Sequence, residues 1–187
     1  MGKENEIINE VSTWLQKHNA NKAIENKKKA VGFNGLNFFK IDENKISKIL
    51  SYFLNPHEKH GRNKKLDNLV YDNVKIKREK IIDENRRIDL YIKIDGFIVA
   101  IENKLWAKDQ KNQLKDYSSY LREKFNDNFL LLYLTPFKKP PTLISISQDN
   151  WKDMIRDGNA GQITYTDDVF NLLDRWSDCS EADNVTH

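Results

Sequence analysis

Asp89, Glu102 and Lys104 are the residues whose types and spacing are best suited to chemistry. A carboxylate pair with an open side suits Mg2+, which prefers oxygen ligands, keeps several waters and contacts substrate phosphate. A cation held this way polarises a phosphoryl oxygen and lowers the pKa of a bound water. A lysine beside it adds a compact positive charge for the water or the phosphate. The setting of the acid strengthens the reading. Ile98-Val99-Ala100-Ile101-Glu102-Asn103-Lys104 reads as a buried strand ending in an acid, one intervening residue and a lysine. Charges at the end of such a strand are costly unless they are paired.

A hairpin must bring these groups together. Asp95-Gly96 lies between two alternating apolar runs, and Asp-Gly in that position is the strongest short-range hairpin signal. With Ile94 opposite Phe97, counting outward sets Asp89 opposite Glu102 as a non-hydrogen-bonded pair, with Cα atoms about 4.5 Å apart. Ile88, Leu90, Ile92, Ile94, Phe97, Val99 and Ile101 then share one apolar face. Asp89, Tyr91, Ala100, Glu102 and Lys104 share the other. Like charges directly opposite on a sheet cost roughly 0.2–1 kcal/mol, a repulsion that Lys104 and a divalent cation would offset. The bland alternative is an exposed face whose acids meet nearby lysines.

The surrounding elements follow from periodicity. Residues 5–18 read as an amphipathic helix, and 19–40 as an irregular stretch rich in Asn and Lys. Asp42 caps a second helix that Asn55-Pro56 stops. A short helix follows at 64–72. The period then changes to two, with strands at 74–82, 87–94 and 97–104. A helix over 109–125 buries Leu114, Tyr117, Leu121 and Phe125, and Phe129 to Thr135 is a strand buried on both faces. Residues 143–147 and 162–165 are expected as edge strands. Thr166 is expected to cap a last helix carrying Val169, Phe170, Leu172, Leu173 and Trp176. The order predicts an α/β fold, a mixed central sheet flanked by helices. It is read as a single domain over 1–177, with an N-terminal helical extension at 1–40, a catalytic core at 41–135 and a disordered tail at 178–187.

With Asp89 in Arg86-Arg87-Ile88-Asp89-Leu90 and the element Glu102-Asn103-Lys104, the sequence resembles the PD-(D/E)XK nuclease superfamily. Ile88 stands where the family name has proline. The likeness extends to Glu43 near the start of the second helix, to Gln113-Leu114-Lys115-Asp116-Tyr117 as a QxxxY element, and to Leu54-Asn55-Pro56 followed by His60-Gly61. It covers about residues 38–120. It implies a restriction-endonuclease-like core and Mg2+-dependent hydrolysis of DNA, with Mn2+ as a substitute, in defence or mobile-element biology. It implies Asp89, Glu102, Glu43 and the main-chain carbonyl of Asn103 as metal ligands, with Lys104 and Gln113 joining Asp89, Glu102 and Glu43 in catalysis. Glu43 also has a plain explanation, an acid favoured by the helix dipole. Gln113 would orient Lys104 or the DNA backbone, and Tyr117 is either a contact to DNA or core packing.

Nucleic acid would meet His60, Arg62, Lys64, Lys65, Arg87 and Tyr117, although His60 and Arg62 serve equally well as solvated loop residues. The net charge is only +3, from 31 basic and 28 acidic residues, so binding must come from local clusters. Such runs occur at Lys27-Lys28-Lys29, Arg62-Asn63-Lys64-Lys65, Lys75 to Lys80 and Lys138-Lys139. Trp106 either stacks on a base or packs beneath its loop. His57-Glu58-Lys59-His60 is one residue short of a zinc-binding H-E-x-x-H. The one cysteine, Cys179, forms no internal disulfide. The sequence shows no secretory signal, no membrane span and no phosphate-binding glycine loop, so a cytoplasmic protein is the simplest reading, with a homodimer or partner protein left open. Rival readings are a nucleic-acid-binding module without turnover and a partner-dependent subunit. A pure binder has no reason to keep opposed acids beside phosphate, which counts against the first.

Overall fold

A computed structural model describes residues 42–58 and 73–178. The helices expected at 5–18 and 64–72, the stretch 19–40 and residues 179–187 lie outside the described residues. No described helix is long and apolar enough to cross a membrane.

Helix α1 (Glu43–Leu54) starts where Asp42 accepts a hydrogen bond from the Lys45 N–H at 2.8 Å and ends at Asn55. Strands β1 (Val74–Asp83), β2 (Arg86–Ile94) and β3 (Phe97–Asn103) follow as antiparallel neighbours. The β2–β3 turn has Asp95 at φ 47° and Gly96 at φ 97°. Both central residues take positive φ, as a two-residue hairpin that matches strand twist requires. The chain then crosses through α2 (Gln113–Phe125) to β4 (Phe129–Thr135), parallel to β3. It continues through α3 (Gln148–Arg156) to β5 (Ala160–Thr164), parallel to β4. The result is a five-stranded mixed sheet in the order β1-β2-β3-β4-β5. A π-helical turn, Tyr165–Val169, leads into α4 (Phe170–Asp178).

Both faces of the sheet are covered. Leu50 of α1, with Tyr165 and Val169, packs on Leu90, Ile92, Ile101 and Leu134. On the opposite face Leu114, Tyr117 and Leu121 of α2 and Trp151 and Met154 of α3 pack on Ile98, Ala100, Phe129 and Leu131. Strand β4 contributes to both cores, which is why its sequence is nearly all apolar. The α/β architecture with helices on both sides is as the sequence predicts.

Several expectations need correction. Residues 143–147 alternate like a strand but form a turn. Their polar groups meet the start of α2 instead of a ladder: the Leu114 N–H donates to Ser145 Oγ at 3.1 Å and the Lys115 N–H to Ser145 O at 3.2 Å. The first N–H groups of a helix have no partner within it, and this segment supplies two. Ser147 then caps α3, a helix absent from the sequence reading. Helix α2 begins at Gln113 rather than 109, because Asn112 takes a left-handed conformation at φ 59°. Thr164, not Thr166, caps the final helical segment. Phe170 and Leu172, expected inward, are exposed.

Candidate active site

The hairpin keeps its expected register from Ile94↔Phe97 to Leu90↔Ile101. There the hydrogen-bonded ladder ends, one pair short of the predicted Asp89–Glu102 pair. Asp89 Oδ2 instead accepts the main-chain N–H of Asn103 at 2.8 Å, its carboxylate taking the place of a strand carbonyl. Ile88 also departs from the expected face: it packs with the α2 core, while Leu90 packs with the α1 core. At the same level of the sheet β1 is irregular, with Glu79 at φ 47° between the pairs Arg78↔Leu90 and Lys80↔Ile88. The two carboxylates nevertheless line one cavity of about 170 Å3, together with Lys104, Glu43, Gln113 and Glu79.

Glu102 lies at its floor, 2% exposed. Its Oε1 accepts from Gln113 Nε2 at 2.8 Å and lies 2.7 Å from Lys104 Nζ. Its Oε2 is buried with no hydrogen-bond partner. Burial, and then the charge of Asp89, push the Glu102 carboxyl up to about 8 against the pull of Lys104. Burial likewise raises Asp89, although the Asn103 N–H and Lys104 oppose it. Gln113 Nε2 also donates to Tyr117 Oη at 3.1 Å, and Tyr117 donates to Arg87 O at 2.5 Å. A chain of hydrogen bonds thus ties Glu102 to the backbone of β2. Burial pushes the Tyr117 hydroxyl upward, so it remains a donor.

Helix α1 enters through Asn103. Its side chain, 1% exposed, donates to Glu43 O and to Ser47 Oγ, both at 3.1 Å, and accepts from Tyr165 Oη at 2.6 Å. Asn103 therefore docks α1 on β3 and has only its main chain to offer a cation. Glu43 Oε1 accepts the N–H groups of Trp106 at 2.7 Å and Ala107 at 2.6 Å. Burial raises the Glu43 carboxyl, but these N–H groups outweigh it and hold the group below its ordinary value.

The structure thus brings Asp89, Glu102, Lys104, Gln113, Glu43 and the Asn103 main chain to one cavity. Gln113 orients Glu102, not Lys104 or an external backbone. Tyr117 is 1% exposed, so it braces the site from below and presents no face to nucleic acid. Arg87 is largely exposed at the cavity and lies 3.5 Å from Glu79. His60, Arg62, Lys64 and Lys65 lie outside the described residues. The sequence reading missed Glu79, hidden in a basic run, and the anchors Ser47 and Tyr165. It also missed the role of the Asn103 side chain, although period-two alternation already places that side chain opposite Glu102.

Among the described residues no group of three or more His, Cys, Asp or Glu is arranged to hold a metal. A cation here would have Asp89 and Glu102 as side-chain ligands, completed by main-chain oxygen and water, which is how Mg2+ is often bound. The buried, unpartnered Oε2 of Glu102 fits such an ion, because an unpaired buried acceptor carries its full desolvation penalty.

A sequence model of the PD-(D/E)XK nuclease superfamily matches residues 62–186. This is well over half of the chain and spans every site residue above except Glu43, Ser47 and His60. No curated protein and no solved structure matches.

Proposed function

The chain belongs to the PD-(D/E)XK nuclease superfamily, and from that membership we propose that it hydrolyses phosphodiester bonds in DNA, using Mg2+ or, as a substitute, Mn2+. The observation that carries the metal dependence is Glu102 Oε2, buried and without a donor beside the raised Asp89 carboxyl. Asp89 and Glu102 would hold the ion, with the Asn103 carbonyl and Glu43 at its edge. When bound, the ion supplies Lewis-acid polarisation of the phosphate and a more acidic water.

The other groups have separate tasks. Lys104, held by Glu102 at 2.7 Å, offers positive charge where the phosphate gains negative charge in the transition state. Gln113 fixes the Glu102 rotamer and Tyr117 fixes Gln113. Arg87, exposed at the cavity, would take a phosphate oxygen of the strand. Glu43 holds the loop after β3 in register with the cavity floor.

The test is cleavage of single-stranded, duplex and supercoiled DNA by purified protein with Mg2+, with Mn2+ and with chelator. Asp89→Ala, Glu102→Ala and Lys104→Ala should each reduce cleavage by orders of magnitude while far-UV circular dichroism stays unchanged. Cleavage that survives Glu102→Ala would remove the site assignment. A wild type that binds DNA and cuts no form of it would leave a binding module.

A further inference from the structure

Trp106 is 77% exposed. Tryptophan is on average highly buried, and an indole left in water forgoes a large apolar contribution to folding. The sequence leaves it either stacking on a base or packing beneath its loop, and among the described residues the exposure excludes packing beneath the loop.

Its position is fixed. The preceding residue, Leu105, packs against the α1 core, turning Trp106 outward. The main-chain N–H of Trp106 and that of Ala107 both end on Glu43 Oε1. Two residues further on, Asp109 accepts from Tyr133 Oη at 2.8 Å, from the Thr142 N–H at 2.7 Å and from Thr142 Oγ1 at 2.8 Å. The exposed indole thus stands on a loop tied to α1, to β4 and to the segment after β4. Lys104 and Ala107, on either side in sequence, both line the cavity, and consecutive Cα atoms are only about 3.8 Å apart. Trp106 therefore stands beside the rim, its backbone one Cα step from Ala107, which lines the cavity together with both carboxylates.

We propose that Trp106 is a stacking platform for an unpaired nucleobase next to the scissile phosphate, so that the substrate is single-stranded or locally unpaired DNA. This rests on the nuclease reading above and adds the substrate class. A base inside a duplex has both faces covered by its neighbours, whereas an unpaired base offers a free face to an aromatic side chain. A preordered loop lets the stack form without paying to order the tryptophan backbone.

The experiment measures binding by the full chain, with chelator present so that nothing is cut, to a thymidine oligonucleotide, to an abasic oligomer of equal length and charge, and to a duplex. Trp106→Ala should weaken binding of the thymidine strand by roughly 5- to 150-fold, the loss of about one base–aromatic stack. It should leave the abasic strand and the duplex unchanged, and Trp106→Phe should restore most of the loss. The exposure of the side chain leaves little reason for misfolding, and an unchanged thermal melt of each variant checks this. Equal losses on thymidine and abasic strands would overturn base stacking. So would an alanine variant that binds all three like the wild type, an outcome that points to a protein contact for the indole. A wild type that binds no strand would overturn the nuclease reading together with this one. Normal cleavage by the wild type with an indifferent Trp106→Ala would overturn only the stacking.

Discussion

Glu102 shows most directly how this site trades stability for chemistry. Its carboxyl is raised from 4.5 to about 8, first by burial and then by Asp89. A carboxyl whose folded value lies above its unfolded one favours folding in its protonated form. That contribution is complete below the unfolded value and is lost as pH rises through the folded value. Metal-free protein should therefore lose thermal stability between about pH 5 and pH 8, with Asp89, also raised, acting in the same sense. Glu102→Gln should flatten that slope and raise the melting temperature at pH 8. Mg2+ should stabilise the wild type more at pH 8 than at pH 6, because it competes with the proton for the carboxylate. It should not stabilise the Gln variant. Melts of both proteins across pH, with and without Mg2+, make the comparison. Undiminished Mg2+ stabilisation of Glu102→Gln would put the cation elsewhere.

At the scale of the elements, the site depends on how β3 ends. Asn103 joins α1 through Glu43 O and Ser47 Oγ and joins Tyr165 after β5. Lys104 continues the contact with β4 through its N–H to Leu134 O at 2.8 Å. The end of one strand thus holds the helix that carries Glu43. Strand β1 contributes differently. Glu79 adopts φ 47°, a left-handed conformation that costs a non-glycine residue roughly 1–2 kcal/mol and is least tolerated by β-branched side chains. Glu79→Gly should therefore be neutral to about 1 kcal/mol stabilising, strain relief matching or exceeding the added chain entropy of about 0.5–1 kcal/mol. Glu79→Val should cost about 1–2 kcal/mol. Urea unfolding of the two variants would show it, and a valine variant as stable as the glycine one would mean that the backbone here relaxes freely.

Charge is organised over the whole molecule rather than in excess. The run Lys75 to Lys80 lies on β1, an edge of the sheet among the described residues. Charged side chains there also discourage edge-to-edge pairing between molecules, so this run is not by itself a footprint for DNA. Arg87 is different, since it stands at the cavity and pairs only loosely with Glu79, at 3.5 Å. The logarithm of DNA affinity should fall linearly with the logarithm of salt concentration as counterions are released. Arg87→Gln should reduce the slope by roughly 0.7, the contribution of one phosphate contact to a single strand. Fluorescence anisotropy at several salt concentrations measures both. An unchanged slope would remove Arg87 from the phosphate path.

Much of this architecture is legible in the sequence because it depends on local periodicity. The Asp95-Gly96 turn and its flanking alternation determine the hairpin, the apolar run 129–135 marks a doubly buried strand, and Asp42 announces α1. Together these bring Asp89, Glu102 and Lys104 to one place. What the sequence could not supply depends on partners distant along the chain. Residues 143–147 have strand-like alternation, yet their polar groups are taken by the start of α2. The hairpin ladder stops one pair short because the Asp89 carboxylate competes for the Asn103 N–H. Gln113 turns to Glu102, and Tyr117 is buried beneath it. Helical spacing sets those two residues on one face of α2 but does not say which strand that face meets. Pattern along the chain determined which side chains share a face. Only tertiary packing decided which of them exhaust their hydrogen bonds on one another, and which oxygen, Glu102 Oε2, is left without a partner.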